Sequence, residues 1–378
     1  MGFGSKAGIL ATIGLVAVGA WAALSLLNDS FLVRAQNAQS GTRAATDFDS
    51  DAEWAGLGTS EVTLSDDPFV IRQAGTYVLR GTSNAGIVVN TEGKVRLVLD
   101  GVAVTNQSGA AIAVENADKT VVHLAAGSEN YLEDSRTRSD AEIDGAVFSA
   151  DDLEFEGSGK LSVRSNFADA IVSNDDLIIT SGTYVIESVD DGIRGKDSLV
   201  ITGGDFSIAA ASDGIKSSND SDAEKGYILI EGGSLEIEVG DDAIEAVSSI
   251  TVNGGSIDVK QSLEGMEATN ITINDGDIRI IARDDGVNAV WGGVGGDVFI
   301  AVNGGRIDVT VGNGDTDGFD SNGSIVIAGG YISVTAPRSA IDYEQSAEMT
   351  GGTLVVNGQT LDSIPRSRMG GFGRRRTR

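Results

Sequence analysis

From about Glu61 onward, short runs of valine, isoleucine and leucine alternate with glycine, asparagine and aspartate every several residues. Runs of this kind are typical of short β-strands separated by turns, and their apolar positions do not recur with the 3.6-residue period of a helix. The pattern therefore predicts an all-β body without long helices in its core.

A motif consisting of an acid, a small residue, an aliphatic residue and a polar residue recurs along this body. "VDDGIRGKD" at 189–197 and "ASDGIKSSN" at 211–219 are two copies. Successive acids lie 22, 22, 29, 22, 21 and 32 residues apart, and the two long intervals hold insertions near 219–226 and at 291–297. The period is therefore about 22 residues. The repeated acids are Asp169, Asp191, Asp213, Asp242, Glu264, Asp285 and Asp317.

Each repeat has a second half in which two strand-like runs flank a glycine corner, as in "LVITGGDFSI" and "ILIEGGSLEI". Two variant corners keep a glycine, Gly182 and Gly276, where we expect a positive φ. Three short strands in about 22 residues, with no helix between them, predict one coil of a right-handed parallel β-helix. We predict roughly eleven coils within residues 59–360, with the run at 69–79 capping the N-terminal end.

Equivalent residues of successive coils in a parallel β-helix lie about 4.8 Å apart. The aliphatic residue of each motif is expected to point inward and to stack on its counterparts. These residues are Ile193, Ile215, Ile244, Met266, Val287 and Phe319. The residue three positions after each acid is expected to point outward and to form a second column. Its members are Val172, Arg194, Lys216, Glu245, Glu267, Asn288 and Asp320.

Stacked carboxylates repel one another by about 3 kcal/mol per pair at an effective dielectric constant near 20 unless a cation neutralises them. Calcium takes oxygen ligands of the kind that aspartate, glutamate and asparagine supply. The alternative for each acid is that it caps a turn through a hydrogen bond with a backbone amide. The predicted calcium ligands are Asp191, Asp213, Asp241, Asp242, Glu245, Glu264, Glu267, Asp284, Asp285, Asn288, Asp317 and Asp320.

Three further residues are candidates for contact with a polysaccharide. Arg194 and Lys216 in the outward column are suited to bind the carboxylates of an acidic glycan. Salt bridges to Asp191 and Asp213 are the alternative for these two cations. Trp291, in the glycine-rich insertion, is placed either to stack on a sugar ring or to pack against the side of its coil.

Composition narrows the possible chemistry. The formal net charge of −29 argues against nucleic acid as a partner, because phosphate binding needs a basic face. The chain has no cysteine, which excludes disulfides, thiolate zinc sites and a thiol nucleophile. Its one histidine, His123, excludes multi-histidine metal sites and lies in a strand-like run, where we assign it a structural role.

The two ends of the chain differ from the body. Residues 7–27 form an uncharged apolar run long enough to cross a bilayer, so we predict a signal anchor within residues 1–30, with a cleaved signal peptide as the alternative. A polar linker (31–58) would then hold an extracellular, cell-surface body. We expect the basic glycine and arginine tail (361–378) to be disordered and to contact anionic envelope polymers or the acidic body.

The run of "DDGIRG", "VITGGDFSI", "SDGIKSSN", "ILIEGGSLEI", "DDAIEA" and "ITVNGGSIDV" resembles the bacterial carbohydrate-binding domain-containing proteins over about residues 144–358. These are exported parallel β-helices that look like pectate lyases. The resemblance implies calcium along the coils and binding to cellulose or to acidic, pectin-like polysaccharide. The segments "DAIVS", "LEGMEA" and "GFDS" depart from the strict repeat.

Our first hypothesis is therefore an exported, calcium-binding surface protein that binds polysaccharide. The second is a calcium-dependent, pectate-type lyase in which Arg194, Lys216 or Lys260 acts as the base. The third is a structural or adhesive rod of the cell envelope. Hydrolysis of the polygalacturonase type is disfavoured, because the chain lacks a Gly-His-Gly segment.

Overall fold

The structure is a computed structural model and describes Trp54, residues 56–314 and residues 316–365. All of these residues belong to the second of the two compact units into which the chain divides, Asp51–Arg378. The predicted membrane segment, most of the predicted linker and the tail from residue 366 lie outside the described residues. Within the described ranges, no helix has both the length and the apolar character needed to cross a membrane.

The described body is built from 34 short β-strands. The first seventeen strands are β1 (Thr59–Thr63), β2 (Phe69–Ile71), β3 (Gly75–Ser83), β4 (Ile87–Asn90), β5 (Val95–Thr105), β6 (Ile112–Asn116), β7 (Thr120–Leu124), β8 (Glu129–Glu133), β9 (Gly145–Ser149), β10 (Leu153–Gly157), β11 (Lys160–Arg164), β12 (Asp169–Ser173), β13 (Asp176–Ile179), β14 (Thr183–Ser188), β15 (Ile193–Gly195), β16 (Ser198–Ile201) and β17 (Asp205–Ala210). The others are β18 (Ile215–Ser217), β19 (Tyr227–Ile230), β20 (Ser234–Val239), β21 (Ile244–Val252), β22 (Ser256–Ser262), β23 (Met266–Ile273), β24 (Asp277–Ala282), β25 (Val287–Ala289), β26 (Phe299–Val302), β27 (Arg306–Val311), β28 (Asp317–Ser321), β29 (Ser324–Ile327), β30 (Tyr331–Thr335), β31 (Ser339–Tyr343), β32 (Ser346–Met349), β33 (Thr353–Val356) and β34 (Gln359–Leu361).

The strands stack in parallel register into three sheets, each strand pairing with its counterpart one coil further on. Four long strands bend at a corner and contribute to two sheets. Sheet 1 contains β2, β4, β6, β9, β12, β15, β18, the first parts of β21 and β23, β25, β28 and β31. Sheet 2 contains β1, the first parts of β3 and β5, β7, β10, β13, β16, β19, the second parts of β21 and β23, β26, β29 and β32. Sheet 3 contains the second parts of β3 and β5, β8, β11, β14, β17, β20, β22, β24, β27, β30 and β33.

This arrangement confirms the predicted parallel β-helix. Sheet 1 has twelve strand segments over the described residues, compared with the roughly eleven coils predicted from the repeats. The difference arises at the N-terminal end, where the sequence predicts a cap at residues 69–79. These residues instead form β2 and the first part of β3, which pair in parallel with the next coil. At the other end, β34 turns back and pairs antiparallel with β33.

The core is a stack of aliphatic side chains inside the coils. Ile193 pairs in register with Ile215, which is followed along the stack by Ile244, Met266 and Val287, each with 0% exposure. Full burial of such side chains stabilises the fold by roughly 1.5–3 kcal/mol each. The predicted inward stack is therefore confirmed, and its strict register positions the outward residues on the same strands.

A column of glycines forms the corner between sheets 2 and 3. Gly233, Gly255 and Gly276 have φ values of +97°, +90° and +124°, and Gly182 has +115°, which confirms the expected positive φ. A Cβ atom on Gly255 would lie 2.8 Å from the carbonyl oxygen of Gly233 in the preceding coil. Both the backbone conformation and the stacking distance therefore require glycine at this position.

We expect Gly255→Ala to lower the free energy of unfolding by about 1–3 kcal/mol from the backbone strain alone, with the backbone clash adding to the loss. Chemical denaturation of the body would measure the change. Gly101→Ala is the matched control, because Gly101 has a φ of +79° but no atom within 4 Å of the position that the new methyl group would occupy. Equal losses for the two variants would show that stacking at the corner does not contribute.

Candidate functional site

The repeated acids lie at the corner that leads into sheet 1, and they form a ladder. In several coils the carboxylate Oδ1 accepts a hydrogen bond from the backbone N–H of the corresponding acid in the next coil. The pairs are Asp169 with Asp191 N–H at 3.0 Å, Asp191 with Asp213 N–H at 3.1 Å, Asp213 with Asp242 N–H at 2.9 Å and Asp285 with Asp317 N–H at 2.7 Å. The capping alternative is therefore correct for one oxygen of these carboxylates.

The outward column lies on the strands of sheet 1 in the predicted register. Its successive pairs are Val172–Arg194, Arg194–Lys216, Lys216–Glu245, Glu245–Glu267, Glu267–Asn288 and Asn288–Asp320. The column continues from Asp320 to Asp342, which the repeat motif did not identify. Residues far apart in the chain thus belong to a single row because the strands of sheet 1 keep their register at these positions.

The two basic members of the column are held in ion pairs. Arg194 Nε lies 2.7 Å from Asp169 Oδ2, and its Nη2 donates to Asp144 Oδ2. Lys216 Nζ lies 2.5 Å from Asp213 Oδ2, 2.6 Å from Glu245 Oε2 and 3.8 Å from Asp191 Oδ2. Internal salt bridges, the alternative to glycan binding, therefore occupy both side chains, although Arg194 pairs with Asp169 and Asp144 and not with the expected Asp191 or Asp213.

These contacts bear on the candidate bases for a lyase reaction. Burial alone would lower the pKa of Lys216, but Asp213, Glu245 and Asp191 outweigh it and raise the pKa. The same balance of burial against Asp169 and Asp144 raises the pKa of Arg194. Lys260 is bound to Asp258 on sheet 3, and this hydrogen bond raises its pKa. All three side chains are thus held in the protonated form, which cannot remove a proton from a substrate.

Beyond Lys216, both columns continue with oxygen donors only. We call the residues Asp242, Glu245, Glu264, Glu267 and Asn288 the acidic shelf. Asn288 Nδ2 donates to Glu264 Oε2 at 2.8 Å and to Glu267 Oε2 at 3.2 Å, so the amide connects two carboxylates of the preceding coil. Asp242 is 4% exposed and Asn288 9% exposed, so the shelf lies close to the wall of the coils.

Burial and mutual repulsion raise the pKa values of the shelf carboxyls. Burial, followed by the charge of Glu267, raises the pKa of Asp242 to about 8. Burial, followed by Glu267 and Asp242, raises the pKa of Glu264 to about 10. Without a bound cation, several of these groups would therefore hold protons at neutral pH.

The remaining predicted ligands extend or flank this shelf. Burial raises the pKa of Asp285 to about 8 and that of Asp320 to about 7, and the charge of Asp317 contributes to both. Asp241 and Asp284 each precede a column acid by one residue and contribute charge to Asp242 and Asp285. The full set of predicted ligands therefore lies along one side of sheet 1, with Asp191 at the basic end and Asp320 at the acidic end.

Within the acidic shelf, the donor set suits a calcium ion better at Glu264, Glu267 and Asn288 than at Asp242 and Glu245. Carboxylate oxygens of Asp213, Asp242 and Glu245 lie within 4.8 Å of one another, but Lys216 Nζ already contacts two of these residues. The ammonium group of Lys216 is therefore the cation that neutralises Asp213 and Glu245. One coil further on, Glu264 and Glu267 present carboxylates beside Asn288, whose amide also carries an oxygen ligand.

The two sequence insertions emerge from the same corner, between sheets 1 and 2. One follows β18, the strand of Lys216, and the other follows β25, the strand of Asn288. The strands of Glu245 and Glu267 lie between them in sheet 1, so the insertions border the shelf at both ends. Trp291, in the second insertion, is 63% exposed and does not pack into its coil.

Some polar residues near this surface were not identified from the repeats. Asp144 and Asp169 bind Arg194, although only Asp169 belongs to the repeated motif. Asp152, Asp175 and Asp176 bring carboxylate oxygens within 4.8 Å of one another at the next corner. The sequence signal for this cluster is a pair of adjacent acids in "ADDLEF" and again in "NDDLII", 24 residues later. Both segments lead into paired strands of sheet 2.

A family model described as carbohydrate-binding domain-containing protein matches residues 65–318, more than half of the chain. The matched range contains the acidic shelf and both insertions. This chain belongs to that family. The match confirms the resemblance inferred from the repeated motifs.

Two individual proteins support the family assignment. A carbohydrate-binding domain-containing protein from Acetivibrio thermocellus is 34% identical over 135 residues, which cover 34% of this chain and 47% of the relative. The chain thus spans about half the length of that relative. The solved structure of the polysaccharide lyase-like protein from C. thermocellum, a gadolinium derivative, matches with a TM-score of 0.50 and 30% identity and covers 57% of this chain and 92% of that chain.

Proposed function

We propose that this protein is an exported, calcium-binding cell-surface protein that binds polysaccharide along sheet 1. The observation that carries the proposal is the continuation of both columns, in register, as carboxylates and an amide after the last basic residue, Lys216. The acids above this point have Arg194 and Lys216 as counter-ions. Among the shelf acids, Glu245 also pairs with Lys216, whereas Asp242, Glu264 and Glu267 would take a cation from solution.

Calcium is the proposed cation because it accepts six to eight oxygen ligands in flexible geometry, including monodentate and bidentate carboxylates. Glu264 and Glu267 belong to the same coil, and the charge of Glu267 contributes to the raised pKa of Glu264, so one ion between them would reduce the repulsion that burial strengthens. The gadolinium derivative of the lyase-like neighbour is consistent with this proposal, since gadolinium is a hard cation that also favours oxygen ligands.

Polysaccharide is the proposed partner for two reasons. The family and the relative from Acetivibrio thermocellus are both described as carbohydrate-binding, and the shelf lies between two insertions, one of which exposes Trp291. A calcium ion with open coordination positions would connect the shelf to the carboxylates of an acidic, pectin-like glycan. Stacking on Trp291 would suit the ring face of an uncharged glycan such as cellulose.

The proposed location follows from residues 7–27, whose apolar run is suited to export and anchoring. The body would then lie outside the membrane. Calcium sites of extracellular modules commonly have dissociation constants up to about the millimolar range, and polysaccharides would be accessible there. The basic residues within 361–378 would add contacts with anionic envelope polymers.

Glu267→Gln is expected to reduce calcium-dependent retention on insoluble pectin at least tenfold, because it removes one charged ligand from the shelf while it keeps the side-chain shape. Retention would be measured by pull-down in calcium and in chelator, with insoluble cellulose in parallel. Glu238→Gln is the matched control, since Glu238 is an exposed acid on β20 of sheet 3.

Two outcomes would contradict the proposal. If the wild-type protein is retained on neither glycan, a structural rod is favoured. If Glu267→Gln and Glu238→Gln lose retention equally, the shelf is not part of the binding surface. Incubation with polygalacturonate and calcium is expected to give no ultraviolet-absorbing unsaturated product, because Arg194, Lys216 and Lys260 are ion-paired.

A further inference from the structure

A cavity of ≈ 220 Å³ opens on sheet 1 near the N-terminal end of the β-helix. Its floor includes Val88 on β4 and Ala113 on β6, which are register partners in the same outward column that carries the acidic shelf further along. Its other side is lined by Arg138, Asp140 and Ile143, from the connection between β8 and β9. The column is apolar here, whereas it is charged or polar from Arg194 onward.

Arg138 is the central polar group of this cavity. Its side chain is 2% exposed, and its Nη2 donates to Asp134 Oδ2 at 2.6 Å and to the Gly145 carbonyl oxygen at 2.9 Å. Its Nε donates to the Ile143 carbonyl oxygen at 2.9 Å. Its Nη1 is buried and has no hydrogen-bond partner within the part of the chain that the structure describes. A buried donor without an acceptor is unfavourable, and Arg138 lines the cavity, so a ligand oxygen that reached Nη1 would be stabilised there.

The charges around the cavity indicate the class of ligand. Asp134 compensates the charge of Arg138 and also accepts a hydrogen bond from Ser165 Oγ at 3.0 Å. Glu115 and Asp140 add two acids to the lining. The cavity therefore has no excess positive charge that would attract an anion. A hydroxyl group, which both donates and accepts, can accept from Arg138 Nη1 and donate to a carboxylate.

The size and the walls of the cavity are consistent with a single sugar ring. The volume is below the roughly 300–1,000 Å³ of pockets that enclose a drug-sized ligand. Val88, Ala113 and Ile143 supply apolar contacts for the C–H groups of a ring. We propose that this cavity binds one neutral pyranose unit of the polysaccharide, without a metal ion.

This proposal rests on the proposed glycan binding but not on calcium. β6 and β21 are five strand steps apart in sheet 1, which corresponds to roughly 24 Å between Ala113 and Glu245 at about 4.8 Å per step. A polysaccharide lying along sheet 1 would span this distance and contact the cavity and the acidic shelf at once. The cavity would recognise a neutral unit, and the shelf would bind carboxylates through calcium.

Ala113→Phe tests the cavity, because the larger side chain would fill it without removing a polar contact. Saturation-transfer NMR with methyl β-D-glucopyranoside, recorded in chelator, is expected to show binding to the wild-type protein and at least a tenfold loss in Ala113→Phe. Sodium galacturonate, the anionic probe, is expected to compete weakly at this position. Ala209→Phe makes the same change at an exposed position on β17 of sheet 3 and should bind as the wild type does.

A calcium-induced rise in the melting midpoint, measured for all three proteins, separates this proposal from the proposed function. An unchanged rise in Ala113→Phe would show that the variant is folded and that its shelf is intact. Absence of neutral-sugar binding in the wild type, equal binding in Ala113→Phe, loss of binding in chelator or stronger binding of galacturonate would each overturn the cavity proposal. None of these outcomes alters the test of calcium-dependent retention on pectin.

Discussion

Lys216→Met should lower the free energy of unfolding of the calcium-free protein by about 3–5 kcal/mol, the usual loss when one partner of a buried ion pair is removed. The Lys216 side chain is 23% exposed and contacts Asp213 and Glu245 at 2.5 and 2.6 Å. Methionine keeps the aliphatic stem but leaves these carboxylates without a counter-ion. Denaturation in chelator at pH 8 would measure the loss.

Calcium should restore part of this stability in Lys216→Met. The carboxylate oxygens of Asp213, Asp242 and Glu245 lie within 4.8 Å of one another, and the substitution leaves them available to a cation. Lys260→Met is the matched control, because Lys260 pairs with Asp258 and Glu236 at the exposed surface of sheet 3 and its loss should change the unfolding midpoint little. Equal effects of the two substitutions would contradict the role assigned to Lys216.

In chelator, the stability of the wild-type body is expected to fall by about 2 kcal/mol or more between pH 5 and pH 8. Asp242 and Asp285 have pKa values of about 8 in the folded protein and Glu264 about 10, above the ordinary values of 3.8 for aspartate and 4.5 for glutamate. Within this window the folded state keeps protons that the unfolded state has released. Raising the pH therefore favours unfolding, and melting curves across the window would measure the effect.

Saturating calcium should oppose this fall, because the ion replaces the protons on the shelf. At a calcium concentration one hundred times the dissociation constant, the gain is about 2.7 kcal/mol, and it should be larger at pH 8 than at pH 5. Glu264→Gln should show a weaker dependence on pH than Glu238→Gln, since glutamine does not ionise. A melting midpoint in chelator that rises from pH 5 to pH 8, or a calcium effect that is absent at pH 8, would contradict the assignment of the shelf.

The fold could be predicted from the sequence because the repeat constrains every coil in the same way. The spacing of about 22 residues, the inward Ile193 and Ile215, and the corner glycines each specify the same solenoid. Residues 69–79 carry neither the acid motif nor a double-glycine corner, so the repeat does not identify them as part of a coil. They nevertheless pair in parallel with the next coil, through strands that the repeated motif does not mark.

The site could be predicted only in part. The predicted register identified which residues of the outward column are neighbours. It did not identify which of them form ion pairs. Lys216 is close to three acids because its flexible side chain reaches neighbouring coils, and sequence spacing does not determine where a long side chain ends. The cavity at Arg138 could not be predicted because residues 134–144 belong to no repeat, so no equivalent coil indicates their path.

Both insertions leave the coils on either side of them in register, so chain length at the corner between sheets 1 and 2 varies independently of the core. Relatives could therefore acquire new ligand preferences by lengthening or exchanging these loops, with no compensating changes inside the barrel of stacked side chains. The same tolerance makes the corner a natural position for grafting recognition peptides beside a stable, rigid scaffold.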